Sequence, residues 1–586
     1  MSKKSTFLNA SSAHLKYYSA LSAIALSLSA CDTFDGNSDN KGENYQTVIN
    51  ADVSAANGGD FTSTDGSLMI SIPAGALSAD TQLVVQEMRS PNSLSDNYET
   101  LGDAYEIDLG DATLSSSMKA YFDVNETPEH PELGEVVVMS DGEWMPLAKN
   151  FFRSSDETVV ALLDASSMVQ PVFRTLQSTS GDLVERGRDV FLYESFGNED
   201  FFGGVVGLHE VLNDLSPTTA VGAGVRVDLS KVPQGIVDVL VGDDVDAKTS
   251  ALQNPAITRA LIKAGAVVGV KGVYDDADSD VLTSAGITCA LCHVNVANTE
   301  FDLGEDELTA LPIGALQLNG VPNADIDVGL VLSLTPFAVG AGDATVAFLQ
   351  SFGPGNFDIR ALPDNPLDDE VANPTNNPQL WNFVDLEEQD YLYDWDGLFT
   401  STSAPDNSLA SQAEAVYDLV MHANGAFGTA SGTLSPELSI TPPQSLLDAL
   451  QAAEDSAPGN VIGEQDLLDV QAWQRSIVSP APMDYDEAMA EEGFMLFYGE
   501  ANCGGCHSTP EFTGSPVTQI TEDALEGGLA GGIKTPGLRG LAYTAPYFHN
   551  GGAATLMDVM DVYEVRLETD LSDSEKAAVV EYMKSL

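Results

Sequence analysis

The sequence predicts a multidomain chain: an N-terminal all-β sandwich, then two mainly α domains with long loops. Three observations predict it. Short β-rich runs separated by turn signals fill residues 46–175 and then stop. From about residue 180 the apolar positions take helical spacing, between loops rich in Asp, Asn, Pro and Gly. Four of the five cysteines stand in two pentapeptides, Cys289-x-x-Cys292-His293 and Cys503-x-x-Cys506-His507, one in each part of the helical region. The 586 residues suffice for roughly three or four domains, and an apolar fraction of 43% is enough to build cores.

Residues 1–31 read as an export signal. Lys3, Lys4 and Lys16 make a positive start, and the apolar or small run from Ala20 to Ala30 is too short to span a bilayer. The run ends Leu28-Ser29-Ala30-Cys31, which resembles the lipobox of bacterial lipoproteins. That resemblance implies that Cys31 is lipidated and becomes the mature N-terminus. Cys31 is the fifth cysteine, so no thiol is left over for a disulfide. The expectation is a protein on the periplasmic or cell-surface side of a bacterial membrane, held there by lipid alone. Residues 32–45, rich in Asp, Asn and Gly, read as a flexible tether.

The charge is extreme. Eighty-nine acidic residues face 24 basic ones, a formal net charge of −65. Such a surface excludes nucleic acid and anionic lipid as partners. It suits either a solvated acidic face in a salty medium or the docking of a cationic electron carrier or divalent cations.

Residues 46–175 carry the runs TVINADV, SLMISIP, QLVVQEM, AYEIDL, KAYFDV, EVVVMS and TVVALLD, with turns such as ANGGD and SDGEW between them. Seven or eight short strands at this spacing predict a β-sandwich that folds alone and binds no cofactor. The stretch GGDFTSTDGSLMISIPAGALSADTQLVV resembles ZU5-like modules of exported proteins. His130, in the polar loop ETPEHPELG, reads as a surface residue.

Residues 180–480 form the first helical domain. GDLVERGRDVFLYESF and NPAITRALIKAGAVVGV have amphipathic helical spacing. Residues 481–586 form the second, compact one. The stretch YDEAMAEEGFMLFYGEANCGGCH is a helix running into the second pentapeptide, and Ser572 with Glu575 marks a capping box. Val579, Val580, Met583 and Leu586 then share one face of the last helix. No repeat beyond the two pentapeptides stands out.

Cys-x-x-Cys-His is the attachment pattern of c-type haem. Two thiols add across the porphyrin vinyl groups, and the adjacent histidine lies under the iron as its proximal ligand. Cys289 and Cys292 would hold one haem with His293 on its iron; Cys503 and Cys506 would hold a second with His507 on its iron. Two other chemistries use paired cysteines. Zinc takes pairs that normally lie closer in sequence, and thioredoxin-like dithiols sit in a βαβ unit, which neither pentapeptide does. The expectation is two covalent haems, each also a large apolar plate around which short helices pack.

After His507 the chain reads Lys534-Thr535-Pro536-x-Leu538-Arg539, then Thr544-Ala545-Pro546-Tyr547-Phe548-His549-Asn550-Gly551, then Thr555-Leu556. Over about the last hundred residues this resembles the di-haem cytochrome c peroxidase and MauG-like family. In the peroxidases an axial methionine lies fourteen residues after the PYFH histidine; here that position is Tyr563, and MauG-like members use a tyrosine there. The resemblance therefore points to the MauG-like branch. The second axial position stays open between Tyr563, His549, Met560 or Met557, and no protein ligand at all. Tyr563 also reads as a packed helix residue. Arg539 and Lys534, rare bases in this chain, are candidates for pairing with haem propionates.

Around the first pentapeptide the sequence is less orthodox. The peroxidases' N-terminal segment with its distal acid and glutamine is not recognisable, so no distal catalytic residue is carried over. His209 in GLHEVL and His422 in VMHANG are the distal candidates there, and Trp395 in LYDWDG is a core residue or an electron relay. The function expected is that of an exported, lipid-anchored di-haem oxidoreductase, one haem reactive and one relaying electrons. It would meet a redox partner and a small-molecule oxidant or substrate. A pure electron-transfer cytochrome with both irons six-coordinate is the rival reading. A partner-binding surface lipoprotein, working through its β module, is the third.

Overall fold

The computed structural model describes residues 45–88, 94, 98–124, 133–140, 142–147, 149–153, 156–174, 181–195, 197–304, 308–358, 374–383, 392–393, 399–400, 464–514, 517–518 and 533–586. Cys31, His130, Trp395 and His422, with the expected signal and the tether up to residue 44, lie outside the described residues; Tyr45, read as the tether's end, already begins the first strand.

Twelve strands build the N-terminal part: β1 (Tyr45–Val53), β2 (Gly59–Thr62), β3 (Leu68–Ile72), β4 (Thr81–Met88), β5 (Tyr98–Thr100), β6 (Ala104–Asp108), β7 (Met118–Asp123), β8 (Gly134–Ser140), β9 (Glu143–Pro146), β10 (Asn150–Arg153), β11 (Thr158–Leu163) and β12 (Ser167–Arg174). One sheet runs β1-β4-β6-β12-β8-β9, with β5 also on β12; the other runs β10-β11-β7-β3-β2. Their pairings are antiparallel. Alternation sorts the faces. Leu68, Ile70 and Ile72 on β3, and Met118, Ala120 and Phe122 on β7, point into the core between the sheets. The sequence reading counts seven or eight strands. The excess comes from strands of three or four residues, such as β2, β5 and β9, too short to show a period.

The sandwich shares a core with the C-terminal helices. β11 is buried at every position. Val159, Ala161 and Leu163 face the sandwich core, whereas Val160 and Leu162, with Phe151 of β10, belong to the core of the C-terminal helices. TVVALLD is thus a continuous apolar run because its strand is covered on both faces. Next to this contact, Lys119 Nζ and Tyr121 Oη on the outward face of β7, and Arg153 Nη1, each reach the Glu491 carboxylate at 2.7 Å.

The remainder is helical with short strand pairs: α1 (Gly181–Tyr193), α2 (Leu208–Asp214), α3 (Pro217–Gly222), α4 (Gln234–Val241), α5 (Val245–Leu252), α6 (Pro255–Lys263), α7 (Ala290–His293), α8 (Val328–Ser333), α9 (Pro336–Ala341), α10 (Asp343–Gln350), α11 (Glu464–Gln474), α12 (Glu487–Phe497), α13 (Leu556–Leu567) and α14 (Asp573–Lys584). The Ser572–Glu575 capping box forms, and Thr555 with Asp558 makes a second one at the start of α13. No helix among the described residues is long and apolar enough to cross a membrane.

A repeat that sequence reading missed organises this part. α1 crosses α11, and α12 crosses α14. Each crossing is closed by a glycine. A Cβ on Gly187 would stand 1.7 Å from the Asp469 carbonyl oxygen and 2.9 Å from Trp473 Cβ; one on Gly493 would stand 1.9 Å from the Ala578 carbonyl oxygen and 2.9 Å from Tyr582 Cβ. Only glycine permits that approach. Four residues on, Phe191 and Phe497 occupy matching places, Phe191 against Trp473 at 4.5 Å and Phe497 against Tyr582 at 5.2 Å between ring centroids.

Candidate metal centres

Both pentapeptides fold as one helical turn. The His293 amide donates to the Cys289 carbonyl at 3.3 Å, and the His507 amide to the Cys503 carbonyl at 3.0 Å. Positions i, i+3 and i+4 of such a turn share a face. Each turn therefore gathers two thiols and an imidazole on one side, as covalent attachment plus axial ligation requires.

The helix crossings supply the floor. Phe191 meets the His293 ring at 6.4 Å, and Phe497 meets the His507 ring at 6.5 Å. In the first unit the pentapeptide bridges two apolar clusters. Cys289 joins Phe191, Trp381 and Trp473, and Cys292 joins the cluster of Phe202, Leu212 and Phe301. Cys503 joins the cluster of Phe497, Phe512 and Met560. Burial pushes the Cys289, Cys292 and Cys503 thiols up to about 12. These are shielded thiols in apolar surroundings. Among the described residues no three His, Cys, Asp or Glu side chains converge closely enough to hold one bare metal ion, so the four cysteines do not pool into one zinc-type site.

His507 shows which nitrogen would face a metal. Its Nδ1 lies 2.7 Å from the Phe512 carbonyl oxygen. A carbonyl only accepts, so Nδ1 carries the proton and Nε2 keeps its lone pair. Burial holds the ring below its ordinary pKa, against the opposing hydrogen bonds to the Phe512 and Pro536 backbone, and the nearby Lys534 charge adds to the lowering. A neutral imidazole with its outer N–H anchored on a carbonyl is the ligand form that haem iron takes. The residues present therefore fit the group the pentapeptides imply.

The second-side candidates divide. His549 is 1% exposed, follows the left-handed Phe548, and has its pKa lowered by burial to about 4. Met560 is buried, with Met557 packed against the same cluster that holds Cys503. Tyr563 is half-buried on α13, its ring 6.0 Å from Phe548. All four candidates sit on the stretch 549–563, and Met557 and Met560 share the cluster of Cys503. At the first, His209 stands on α2 between Leu208 and Leu212, which belong to the cluster of Cys292. Its Nδ1 is buried without a hydrogen-bond partner.

Lys534 is buried in a two-residue strand paired with Val517. Arg539 is also buried, but turns toward protein. Its Nε donates to the Pro510 carbonyl at 2.8 Å and lies 3.7 Å from Glu511, and its guanidinium covers the Phe512 ring at 5.3 Å. Its own carbonyl accepts the Trp381 indole N–H at 3.1 Å. Sequence reading missed Gly187, Gly493, Phe191, Phe497, Trp473 and Tyr582. The shared G-x-x-x-F spacing in GRDVF and GFMLF was the available signal.

No family model matches this chain. It is 38% identical over 112 residues to methylamine utilization protein MauG of Methylorubrum extorquens, covering 16% of this chain and 32% of that protein. It is 30% identical over 111 residues to cytochrome c551 peroxidase of Nitrosomonas europaea, covering 16% and 33%. It is 29% identical over 146 residues to cytochrome-c peroxidase IdrP1 of Denitromonas iodatirespirans, covering 16% and 39%. The chain spans about a third of the length of these curated relatives. A crystal structure of a MauG-like protein associated with microbial copper homeostasis aligns with 39% of this chain and 85% of its own, at 18% identity and a TM-score of 0.22, which carries no argument.

Proposed function

We propose, on the premise that this chain belongs by its matched segment to the di-haem cytochrome c peroxidase and MauG-like family, that it is an exported, lipid-anchored di-haem c-type cytochrome acting as an oxidoreductase. The observation that carries this is the duplicated unit: a Cys-x-x-Cys-His turn, a phenylalanine at 6.4 or 6.5 Å from its histidine, and a glycine-closed helix crossing behind it. Two haems, when bound, supply iron that changes oxidation state one electron at a time and that can meet a small oxidant where a coordination position is free.

The chain's residues divide that work. Cys289 and Cys292, and Cys503 and Cys506, would hold the two groups covalently, with Phe191 and Phe497 shielding the His293 and His507 rings. His507, its proton held on Nδ1, offers Nε2. His549, neutral through burial, Tyr563, Met560 and Met557 would be the candidates for a second ligand to the iron. We assign the relay role to the Cys503–His507 unit, whose ligand candidates Tyr563 and His549 sit in the recognisable family motif, and the reactive role to the Cys289–His293 unit. Lys534, near His507, is the better of the two propionate candidates; Arg539 is committed to Glu511 and Pro510. A cationic electron carrier is the partner class that a net charge of −65 attracts. Cys31 is the lipid anchor, on the periplasmic or cell-surface side of a bacterial membrane.

Pyridine haemochrome analysis of the purified full chain tests the reading. Two haems per chain are expected. One haem, or zinc in their place, overturns it.

A further inference from the structure

Glu511 is a buried carboxylate in the segment directly after the second pentapeptide, and three distant parts of the chain converge on it. From the end of β12, Arg174 Nη2 donates to Oε1 at 3.1 Å. From the segment after the first helical unit's loops, Asn382 Nδ2 donates to Oε2 at 2.9 Å, and Asn382 is itself held by Ser479. From the second unit, Arg539 Nε lies 3.7 Å away while bonding Pro510. Arg174, Glu511 and Arg539 are each under 7% exposed. Arg174 also lies 3.9 Å from Glu135, a second buried carboxyl. Burying these charges is costly unless they are paired, so they are held in place once assembled.

Glu511 stands between Pro510 and Phe512. Both neighbouring carbonyls are in use, Pro510 by Arg539 and Phe512 by His507 Nδ1 at 2.7 Å. One peptide unit thus separates the carboxylate gripped by the sandwich from the carbonyl that fixes the histidine proton.

We propose that Arg174, supplied by the β-sandwich, is a positioning residue for the second metal centre, acting through Glu511 to hold the Phe512 carbonyl on His507. A firm acceptor at Nδ1–H makes the imidazole a stronger donor and favours ferric iron; a loosened one weakens the donor and raises the potential. The sandwich is then a working part of the redox centre rather than an appended module. This inference rests on the di-haem reading.

The test is potentiometric titration of the full holoprotein, with visible spectra separating the two haems. Arg174→Gln and Glu511→Gln should each raise the midpoint potential of one haem. The expected size is on the order of a tenfold change in its ferrous-to-ferric ratio, about 59 mV for a one-electron couple. The other haem should not move. The double variant should shift no further than either single one, since both break one device. Glu491→Gln, which loosens the other sandwich contact, should leave both potentials in place. Unchanged potentials in a folded di-haem protein overturn the proposal; so do shifts of opposite sign, which report charge rather than position. If Arg174→Gln does not fold, Arg174→Lys carries the same prediction, because it keeps the charge and loses the planar fork. A chain lacking haem at Cys503 would instead overturn the di-haem reading.

Discussion

Phe191 and Trp473 stand with ring centroids 4.5 Å apart across the crossing of α1 and α11. They are 282 positions apart in sequence, whereas their counterparts Phe497 and Tyr582 are 85 apart. The same clamp therefore closes behind both pentapeptides, although one spans most of the helical region and the other only the last part of the chain.

Gly493→Ala should destabilise the second unit by about 2–3 kcal/mol, because the new methyl meets a helix carbonyl rather than a side chain that can swing aside. Gly187→Ala should do the same to the first unit. Thermal unfolding followed in the haem bands measures each. A cost below about 0.5 kcal/mol, the range of an ordinary surface change, would show the crossings to be looser than described.

His293→Ala and His507→Ala should each alter the spectrum of one haem and leave the other unchanged, with two haems still attached, since the cysteines supply the covalent bonds and the histidine the axial one. Pyridine haemochrome and optical spectra check both halves. Loss of a haem from either variant would show that attachment needs the histidine.

One high-spin or weakly ligated haem and one low-spin haem are expected in the oxidised protein. Tyr563→Phe or His549→Ala should change the low-spin signal in electron paramagnetic resonance. If neither does, Met560 and Met557 remain for that position. If both irons are low-spin and the reduced protein binds no carbon monoxide, the electron-transfer reading replaces the enzymatic one.

Docking of the sandwich on α12 should weaken in acid. Burial alone would raise the Glu491 pKa, but bonds from Lys119 and Tyr121 and the Arg153 charge outweigh it, so the pKa is lowered. A lowered carboxyl contributes stability that is complete above its unfolded value, about 4.3, and is lost as pH falls through the folded value. Hydrogen exchange at β7 should therefore quicken as pH falls through the lowered Glu491 value, below the ordinary carboxylate range, after correction for the intrinsic rate. In Glu491→Gln it should be fast already at neutral pH, with no further change of this kind on acidification. Matching pH profiles in both proteins would remove Glu491 from that role.

The pentapeptides and the β-rich beginning were legible in sequence for different reasons. Covalent attachment dictates a spacing within five residues, which no packing can disguise. Strand alternation in β3 and β7 is local in the same way. The clamp was not legible, because G-x-x-x-F is two residues in a helix and its partners Trp473 and Tyr582 lie far along the chain. Arg539 was read as a propionate partner from its rarity and its place in the family pattern. That its carboxylate partner would be Glu511, shared with Arg174 from a strand more than three hundred residues earlier, depends on pairing that no local pattern records.

The two-sided burial of β11 bears on how the chain matures. Synthesis runs from the N-terminus, so Phe151, Val160 and Leu162 are made about 330 residues before Phe494, which shares their core. Until then that face of the young sheet is bare hydrophobic surface, of the sort that invites aggregation or a chaperone. Contacts so distant in sequence close late and slowly. The sheet is a template waiting for its lid.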